Sequence, residues 1–339
     1  MFFRLVISVG WLFAALIVHE LGHVLFGCIV GCHFEQLGVG PLSLVRGASG
    51  LRTRLLPISA WGPFAVMRPV STERVAQRIA WLAAGGPIAS ACVGLVVSGG
   101  VWLHLIPRWG LVFGILNLCA AVATGQPFGT GAGLPSDGRR VWDLWRRDAD
   151  AHAATALIVL DAQATAGVRP AAWDPALLRR AAEITHPPAF VLAAAVANYR
   201  HVADRSGLVG AAGEIDAVRR LYTTVPRWLR GEAAVELACW YALVSGDRVT
   251  ARAFLVDARG QLTPPHRRWR AAASVWLLDG NITKAAGAVA EAERSLHLPD
   301  AGATEFDREL IAMTRERLRG LTPEGPARNA EVPAAAGES

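Results

Sequence analysis

Three long apolar segments dominate the first 125 residues of the chain. The first runs from Phe2 to Gly31, the second covers about Ile79 to Ile106, and the third, which is shorter, covers about Leu111 to Gly125. A helix of about 20 apolar residues crosses the hydrocarbon core of a bilayer. We therefore predict a mainly α-helical protein with a polytopic membrane core of about three spans.

The loop between the first two segments has a different pattern. Apolar residues and glycines alternate within residues 32–78, which indicates short strands and a small β element at the membrane surface. Loops rich in arginine stay on the cytoplasmic side. This loop contains six arginines, Arg46, Arg52, Arg54, Arg68, Arg74 and Arg78. We expect the N-terminus outside the cytoplasm and the C-terminal half inside it.

The remainder of the chain predicts helices of another kind. Residues 146–319 are rich in alanine, leucine and arginine, and segments that begin at Gly246 and Gly280 repeat with a period of 34 residues. Alanines recur five and twelve positions after each glycine, at Ala251, Ala258, Ala285 and Ala292. This period resembles the tetratricopeptide repeat and predicts a soluble α-helical repeat domain. Residues 320–339 lack apolar periodicity and are predicted to form a disordered tail.

Composition agrees with two unlike halves. The 339 residues are 53% apolar and 18% charged, whereas soluble domains are about 45–50% apolar and about 25% charged. Most of the charge lies beyond residue 136, so we assign the membrane core to residues 1–145. The net charge of +6 comes from scattered arginines without a long run of like charge. This pattern favours membrane-flanking charge, and we expect no nucleic-acid partner.

A polar cluster interrupts the first apolar segment. In the sequence His-Glu-Leu-Gly-His, His19 and His23 are four residues apart and project from one face of a helix, where they can provide two zinc ligands. Glu20 then lies beside the metal, where it can act on the water. Polar groups inside a membrane span cost several kcal/mol unless they are partnered. The cluster therefore predicts a zinc site with Glu20 as the catalytic residue.

A catalytic zinc ion takes three protein ligands and leaves a fourth position for water, so one more ligand is required. The metzincin spacing needs glycine at position 26 and histidine at position 29, and this chain has Phe26 and Ile29 there, which excludes that class. Glu35 and His33 follow the first segment closely. Asp137 lies where the chain returns to the cytoplasmic side after the third segment, at the predicted depth of the two histidines. We favour Asp137 and keep the other two as alternatives.

Three motifs together resemble the site-2 protease family of intramembrane zinc metalloproteases. They are His-Glu-Leu-Gly-His in the first segment, Gly-Gly-Pro at residues 85–87, and Asp-Gly at residues 137–138. The resemblance covers about residues 1–145. It implies that His19, His23 and Asp137 ligate zinc and that Glu20 is the catalytic glutamate. It also implies that a surface β element within residues 35–68 presents the substrate.

The chain departs from the family pattern around Asn117. Family members commonly have Asn-x-x-Pro shortly before the Asp-Gly, and the asparagine helps to hold the substrate. In this chain Asn117 precedes Asp137 by twenty residues, and Ala120 replaces the proline. Asn117 is therefore a candidate substrate-binding residue, with a helix-packing amide as the alternative.

These inferences lead to a functional expectation. The resemblance implies an intramembrane zinc metalloendopeptidase that cleaves membrane-embedded protein substrates in regulated intramembrane proteolysis. The alternative is a non-catalytic membrane adaptor with a decayed protease core. We expect a multi-pass protein in a bacterial plasma membrane, with its helical repeats in the cytoplasm. Those repeats are expected to bind a regulator or the tail of a substrate.

Overall fold

The structure is a computed structural model, which describes residues 2–47, 50–55, 62–71, 73–129, 134–258, 263–296 and 304–321. Within these ranges the chain forms thirteen α-helices and one four-stranded sheet. The predictions of a mainly helical protein and of a small β element are thus confirmed.

The N-terminal part contains three apolar helices, α1 (Phe2–Ile29), α2 (Val75–Trp102) and α3 (Gly110–Gly125). Within the described residues, Val9–Ile29 and α2 are long and apolar enough to cross a membrane. Helix α3 has only 16 residues, fewer than the roughly 20 that span the hydrocarbon core. The structure therefore supports two candidate spans, and the predicted third span is not confirmed.

Glycines allow α1 and α2 to approach each other closely. A Cβ atom on Gly85 would lie 2.5 Å from the carbonyl oxygen of Gly22, which is too close for any side chain. A Cβ atom on Gly86 would lie 2.5 Å from Nε2 of His23. Small residues bring apolar helices into backbone contact in this way. The Gly-Gly pair of the second segment thus leaves room for the histidines of the first.

The small β element follows α1 directly. Its strands are β1 (Cys32–Val39), β2 (Leu42–Gly47), β3 (Gly50–Leu55) and β4 (Phe64–Pro69). They are antiparallel and lie in the order β3-β2-β1-β4. The amide of Val70 donates to the carbonyl of Gly31, which fixes the end of β4 beside the end of α1. The sheet therefore lies between the C-terminus of α1 and the N-terminus of α2.

Helices make up the rest of the described chain. They are α4 (Asp137–Trp145), α5 (Ala149–Thr165), α6 (Pro175–Ala182), α7 (Pro188–Gly210), α8 (Ala212–Tyr222), α9 (Gly231–Trp240), α10 (Arg248–Asp257), α11 (Pro265–Leu278), α12 (Ile282–Leu296) and α13 (Glu305–Arg319). The predicted domain boundary after residue 145 coincides with the end of α4. The division into domains itself stays a prediction. Most of the predicted tail, from residue 322 onward, lies outside the described residues.

The two repeated segments form equivalent helices. Gly246 and Gly280 both have left-handed backbone angles, with φ of 71° and 75°, and each is followed closely by a helix, α10 or α12. The four repeated alanines, Ala251, Ala258, Ala285 and Ala292, are buried. Small buried residues at equivalent positions allow close helix pairing. The relation to the tetratricopeptide repeat stays a prediction.

Buried ion pairs join four helices of this half. Nη2 of Arg270 on α11 lies 2.7 Å from Glu236 on α9, and Nη2 of Arg200 on α7 lies 2.9 Å from Asp307 on α13. Burial alone would raise the pKa of Asp307, but Arg200 and Arg267 lower it well below its usual value. The carboxylate is therefore ionised at neutral pH. Removing one partner of such a pair leaves an uncompensated charge, which costs about 3–5 kcal/mol.

The contact between α1 and α2 generates a stability prediction. Gly85→Ala places a methyl group against the backbone of Gly22 and is expected to destabilise the protein by about 1–3 kcal/mol. Gly99→Ala changes the same helix at a position with no atom within 4 Å, so it is expected to be neutral or stabilising by up to about 1 kcal/mol. Thermal unfolding in detergent, followed by far-UV circular dichroism, measures both. Equal melting temperatures for the two variants would contradict the close contact.

Candidate metal centre

The centre begins with the two histidines and the glutamate of α1. His19 and His23 are one helical turn apart, and their ring centroids lie 4.9 Å from each other with the rings perpendicular. Together with Glu20 they form a buried cluster whose possible ligand atoms all lie within 4.8 Å of one another. The predicted helical spacing thus places all three groups at one point.

The second nitrogen of each imidazole contacts α2. Nδ1 of His23 lies 2.8 Å from the carbonyl oxygen of Leu82, and Nδ1 of His19 lies 3.2 Å from Oγ of Ser90. A carbonyl oxygen only accepts hydrogen bonds, so Nδ1 of His23 carries the proton. In neutral His23, Nε2 therefore presents a lone pair. Metal-binding histidines are commonly held through their second nitrogen in this way.

Asp137 reaches the same point from the first turn of α4. Ser136 caps this helix, because its Oγ accepts from the amide of Arg139 and donates to the carbonyl of Gln126. A Cβ atom on Gly138 would overlap the carbonyl of Gly125, so only glycine fits after the aspartate. The cap and the glycine together hold the start of α4 against the end of α3. They thereby position the Asp137 carboxylate beside His19, although the two residues are 118 positions apart in the sequence.

The distances among these groups suit a tetrahedral metal ion. Oδ2 of Asp137 lies 3.1 Å from Nε2 of His19 and 3.5 Å from Nε2 of His23. Zinc bonds of about 2.0–2.2 Å to nitrogen and oxygen place tetrahedral ligand atoms about 3.3–3.6 Å apart. The 3.5 Å distance lies in this range, and the 3.1 Å distance is slightly shorter, at hydrogen-bond length. The Nε2 lone pair of a neutral His23 repels the carboxylate, whereas a proton on Nε2 or a cation between the two atoms makes the contact favourable. The three residues therefore fit a zinc ion.

The charge state of Asp137 agrees with a role as a ligand. Burial alone would raise its pKa, but the contacts with His19 and His23 lower the pKa below the usual value for a carboxyl group. The group is therefore ionised at neutral pH. A metal ligand must be deprotonated, so no proton has to be displaced from Asp137 before binding.

Glu20 is buried beside the histidines and is not tied to another group. Its carboxylate makes no hydrogen bond or ion pair with the part of the chain that the structure describes. A buried carboxylate without a partner costs free energy, and such groups are found where chemistry requires them. Glu20 is thus free to contact a water molecule beside the metal.

The alternative third ligands lie in the β element. Glu35 on β1 accepts a hydrogen bond from Nε of Arg68 on β4, at 2.8 Å. His33 lies opposite Arg68 in the register of the same two strands. Among the three candidates from the sequence, only Asp137 has a described contact with His19 and His23.

Asn117 lies buried on α3 and contacts its own helix. Its Nδ2 donates to the carbonyl of Phe113, one turn earlier, at 2.9 Å. Its Oδ1 has no hydrogen-bond partner among the described residues. No described contact joins Asn117 to the metal-site residues, so its role in substrate binding stays a prediction.

Sequence reasoning did not assign the supports on α2. Leu82, Gly86 and Ser90 recur every four residues and therefore lie on one face of that helix. This face provides a carbonyl acceptor, an open space and a hydroxyl group to the two histidines. The available signal was limited to Gly86 and Ser90, a small and a polar residue inside an apolar segment.

The ligand set predicts metal content. The wild-type protein is expected to contain about one zinc ion per chain, and His19→Ala, His23→Ala and Asp137→Ala are each expected to lose most of it, because three protein ligands are needed. His33→Ala and Glu35→Ala are the controls and should keep it. Elemental analysis of protein purified in detergent measures the content. Full zinc in Asp137→Ala together with loss in either control would reassign the third ligand.

The support of His19 predicts a smaller effect. Ser90→Ala removes the hydroxyl that contacts Nδ1 of His19 and is expected to weaken zinc binding about 10–100-fold. Ser98→Ala is the control, because Oγ of Ser98 on the same helix has no hydrogen-bond partner among the described residues. Competition with a chelator of known affinity measures both. Equal affinities would show that Ser90 does not orient the ligand.

Comparison of the chain with protein-family models, with curated proteins and with solved structures finds no match. The resemblance to the site-2 protease family therefore stays a prediction, which rests on the three motifs and on the geometry of the residues that they contain.

Proposed function

We propose that the protein is an intramembrane zinc metalloendopeptidase of the site-2 protease type. One observation carries this proposal. Two buried imidazoles, each held through its second nitrogen, turn their Nε2 atoms toward the carboxylate of Asp137, with separations that suit a tetrahedral cation. An unpaired glutamate lies beside them. This combination of three ligands and one free base is typical of hydrolytic zinc sites.

The donor atoms favour zinc as the cofactor. Two imidazole nitrogens and one carboxylate oxygen suit zinc better than calcium or magnesium, which prefer sites made of oxygen alone. A zinc ion bound by these residues would supply Lewis-acid activation of water and of a peptide carbonyl.

Glu20 provides the proton transfers. Its carboxylate accepts a proton from the attacking water while the water oxygen bonds to the carbonyl carbon of the peptide. Glu20 then passes that proton to the amide nitrogen as the carbon–nitrogen bond breaks, which leaves a carboxylic acid and an amine. Its burial and its lack of a described hydrogen bond support this role, because the carboxylate has no hydrogen bond to break.

The membrane is the proposed location of this chemistry. The polar cluster lies within the candidate span Val9–Ile29, where buried polar groups mark functional sites. We propose that α3 completes a three-span core in spite of its length. The arginines of the β element favour a cytoplasmic position for the sheet and for the helices that follow it. The substrate is then a membrane-embedded protein whose helix unwinds at the site, because helical carbonyls are occupied by backbone hydrogen bonds.

The helical half is proposed to act on substrate selection. Stacked helix pairs of the tetratricopeptide type offer a concave surface to a peptide or a partner protein. Helix α5 contacts both α2 and β4, so the first helix of this half lies against the part that carries the metal centre. We propose that a regulator or the cytoplasmic tail of a substrate binds there.

A non-catalytic adaptor remains the second candidate from the sequence. A decayed protease core is expected to have lost a ligand or the base. Here His19, His23, Asp137 and Glu20 are all present and lie together, which favours the enzyme.

The role of Glu20 generates a prediction that separates catalysis from metal binding. Glu20→Gln keeps the shape of the side chain and removes the base, so zinc is retained while peptide hydrolysis falls by about 10²–10⁴-fold. Glu73→Gln is the control and should cleave like the wild type, because Glu73 is exposed and lies outside the β element and the metal centre. Liposomes that contain the protein and a panel of single-pass membrane proteins, analysed for fragments by mass spectrometry, provide the measurement.

Two results would contradict the proposal. Undiminished cleavage by Glu20→Gln would exclude Glu20 as the base. Absence of zinc-dependent cleavage by the wild-type protein across the panel, with zinc bound, would favour the adaptor.

A further inference from the structure

A groove of about 650 Å³ lies between the first turns of α2 and the outer face of α4, on residues that the metal centre does not use. Its floor is apolar and made of small side chains, because Ala76, Ala80 and Ala84 recur every four residues along α2. Val141 and Leu144 of α4 form the opposite wall. The floor follows the axis of a helix that is long and apolar enough to cross a membrane.

Two arginines lie at the mouth of the groove. Arg74 precedes α2 and Arg147 follows α4, and neither guanidinium makes a hydrogen bond or ion pair with the part of the chain that the structure describes. No acidic side chain is among the described residues that line the groove. The described lining thus carries two arginines and no acidic side chain, and its charge complements an anion.

The backbone conformation of Arg147 also bears on the binding of an anion. Arg147 has φ of 58°, in the left-handed region that glycine adopts most easily after a helix. Arginine at this position costs free energy relative to glycine. Binding of an anion by the charged side chain would offset that cost.

Tryptophans frame the same groove. Trp81 on α2 and Trp145 on α4 both line it, and both side chains are exposed. Next to them, the guanidinium of Arg146 lies 5.3 Å from the centre of the Trp142 ring. Tryptophan concentrates at the level of lipid headgroups, and arginine attracts anionic lipids on the cytoplasmic side. The small apolar floor suits an acyl chain, and the cationic mouth suits a phosphate. The tryptophans suit the level of the lipid headgroups.

We infer that this groove binds one anionic phospholipid, with its phosphate between Arg74 and Arg147 and an acyl chain along Ala76, Ala80 and Ala84. The inference rests on the membrane location proposed above and is independent of zinc and of peptide hydrolysis. A phospholipid fits better than a peptide segment, because the apolar floor continues along a candidate membrane span while the charge is confined to its end.

Native mass spectrometry of the full chain in neutral detergent tests whether binding depends on the charge of the lipid headgroup. Phosphatidylglycerol is expected to bind as one adduct, at least tenfold more tightly than phosphatidylcholine with the same acyl chains. The double change Arg74→Gln/Arg147→Gln should weaken that binding about 25-fold, at about fivefold for each arginine near a lipid phosphate. Arg108→Gln is the matched control, because Arg108 is an exposed arginine beside a tryptophan at the opposite end of α2 and does not line the groove.

Two further variants test the shape of the groove and distinguish a loss of affinity from misfolding. Ala80→Phe fills the groove without changing charge and should abolish the tight adduct. Arg147→Gly relieves the left-handed backbone, so it should fold at least as well as the wild type and still lose about fivefold in affinity.

Four outcomes would overturn the inference. One is equal binding of phosphatidylglycerol and phosphatidylcholine. Another is an affinity of the double variant that equals that of Arg108→Gln. The third is unchanged binding by Ala80→Phe, and the fourth is equally tight binding of glycerol phosphate without acyl chains. Either of the last two would place the anion on an open surface and not in a lipid groove.

Discussion

The backbone contact between α1 and α2 at Gly22 and Gly85 is the constraint on which the metal centre depends. Because the two helices touch there without side chains between them, the face of α2 that carries Leu82 and Ser90 comes within hydrogen-bond distance of the histidines. Each imidazole is then fixed by its second nitrogen, and both Nε2 atoms face the same side. The start of α4 completes the arrangement from that side. A wider separation of α1 and α2 would leave the rings without support and unable to converge on one ion.

Polar groups in an apolar helix impose a free-energy cost, and the structure offsets only part of it. The two imidazoles have partners on α2, and Asp137 pairs with them, but Glu20 has no partner within the described chain. Residual destabilisation of this kind is expected where a group must remain free for reaction. The helical half behaves differently, because its buried arginines and carboxylates are paired with one another across four helices. One part of the chain thus keeps a reactive group available, and the other uses charge to fix its packing.

The sequence predicted features within single helices and strands. It predicted only some of the contacts between residues that are far apart in the chain. The spacing of His19 and His23 placed them correctly on one helix face, and alternation in the following loop indicated strands, because both patterns follow from the geometry of a single element. The contacts of Ser90 and Leu82 depend on the rotation of α2 about its axis, which no local pattern specifies. The pairing of Arg200 with Asp307 joins residues 107 positions apart and left no periodic signal. The predicted third span is not confirmed. Helix α3 has 16 residues, and this length is not enough to identify it as a membrane span.

X-ray absorption at the zinc edge reports directly whether His19, His23 and Asp137 together hold a zinc ion. We expect a first shell of nitrogen and oxygen at about 2.0–2.2 Å, with the multiple-scattering signature of two imidazoles and no sulfur. A sulfur shell at about 2.3 Å would contradict this assignment, because it would move the metal to cysteines such as Cys28 near the end of α1 and Cys32 at the start of β1.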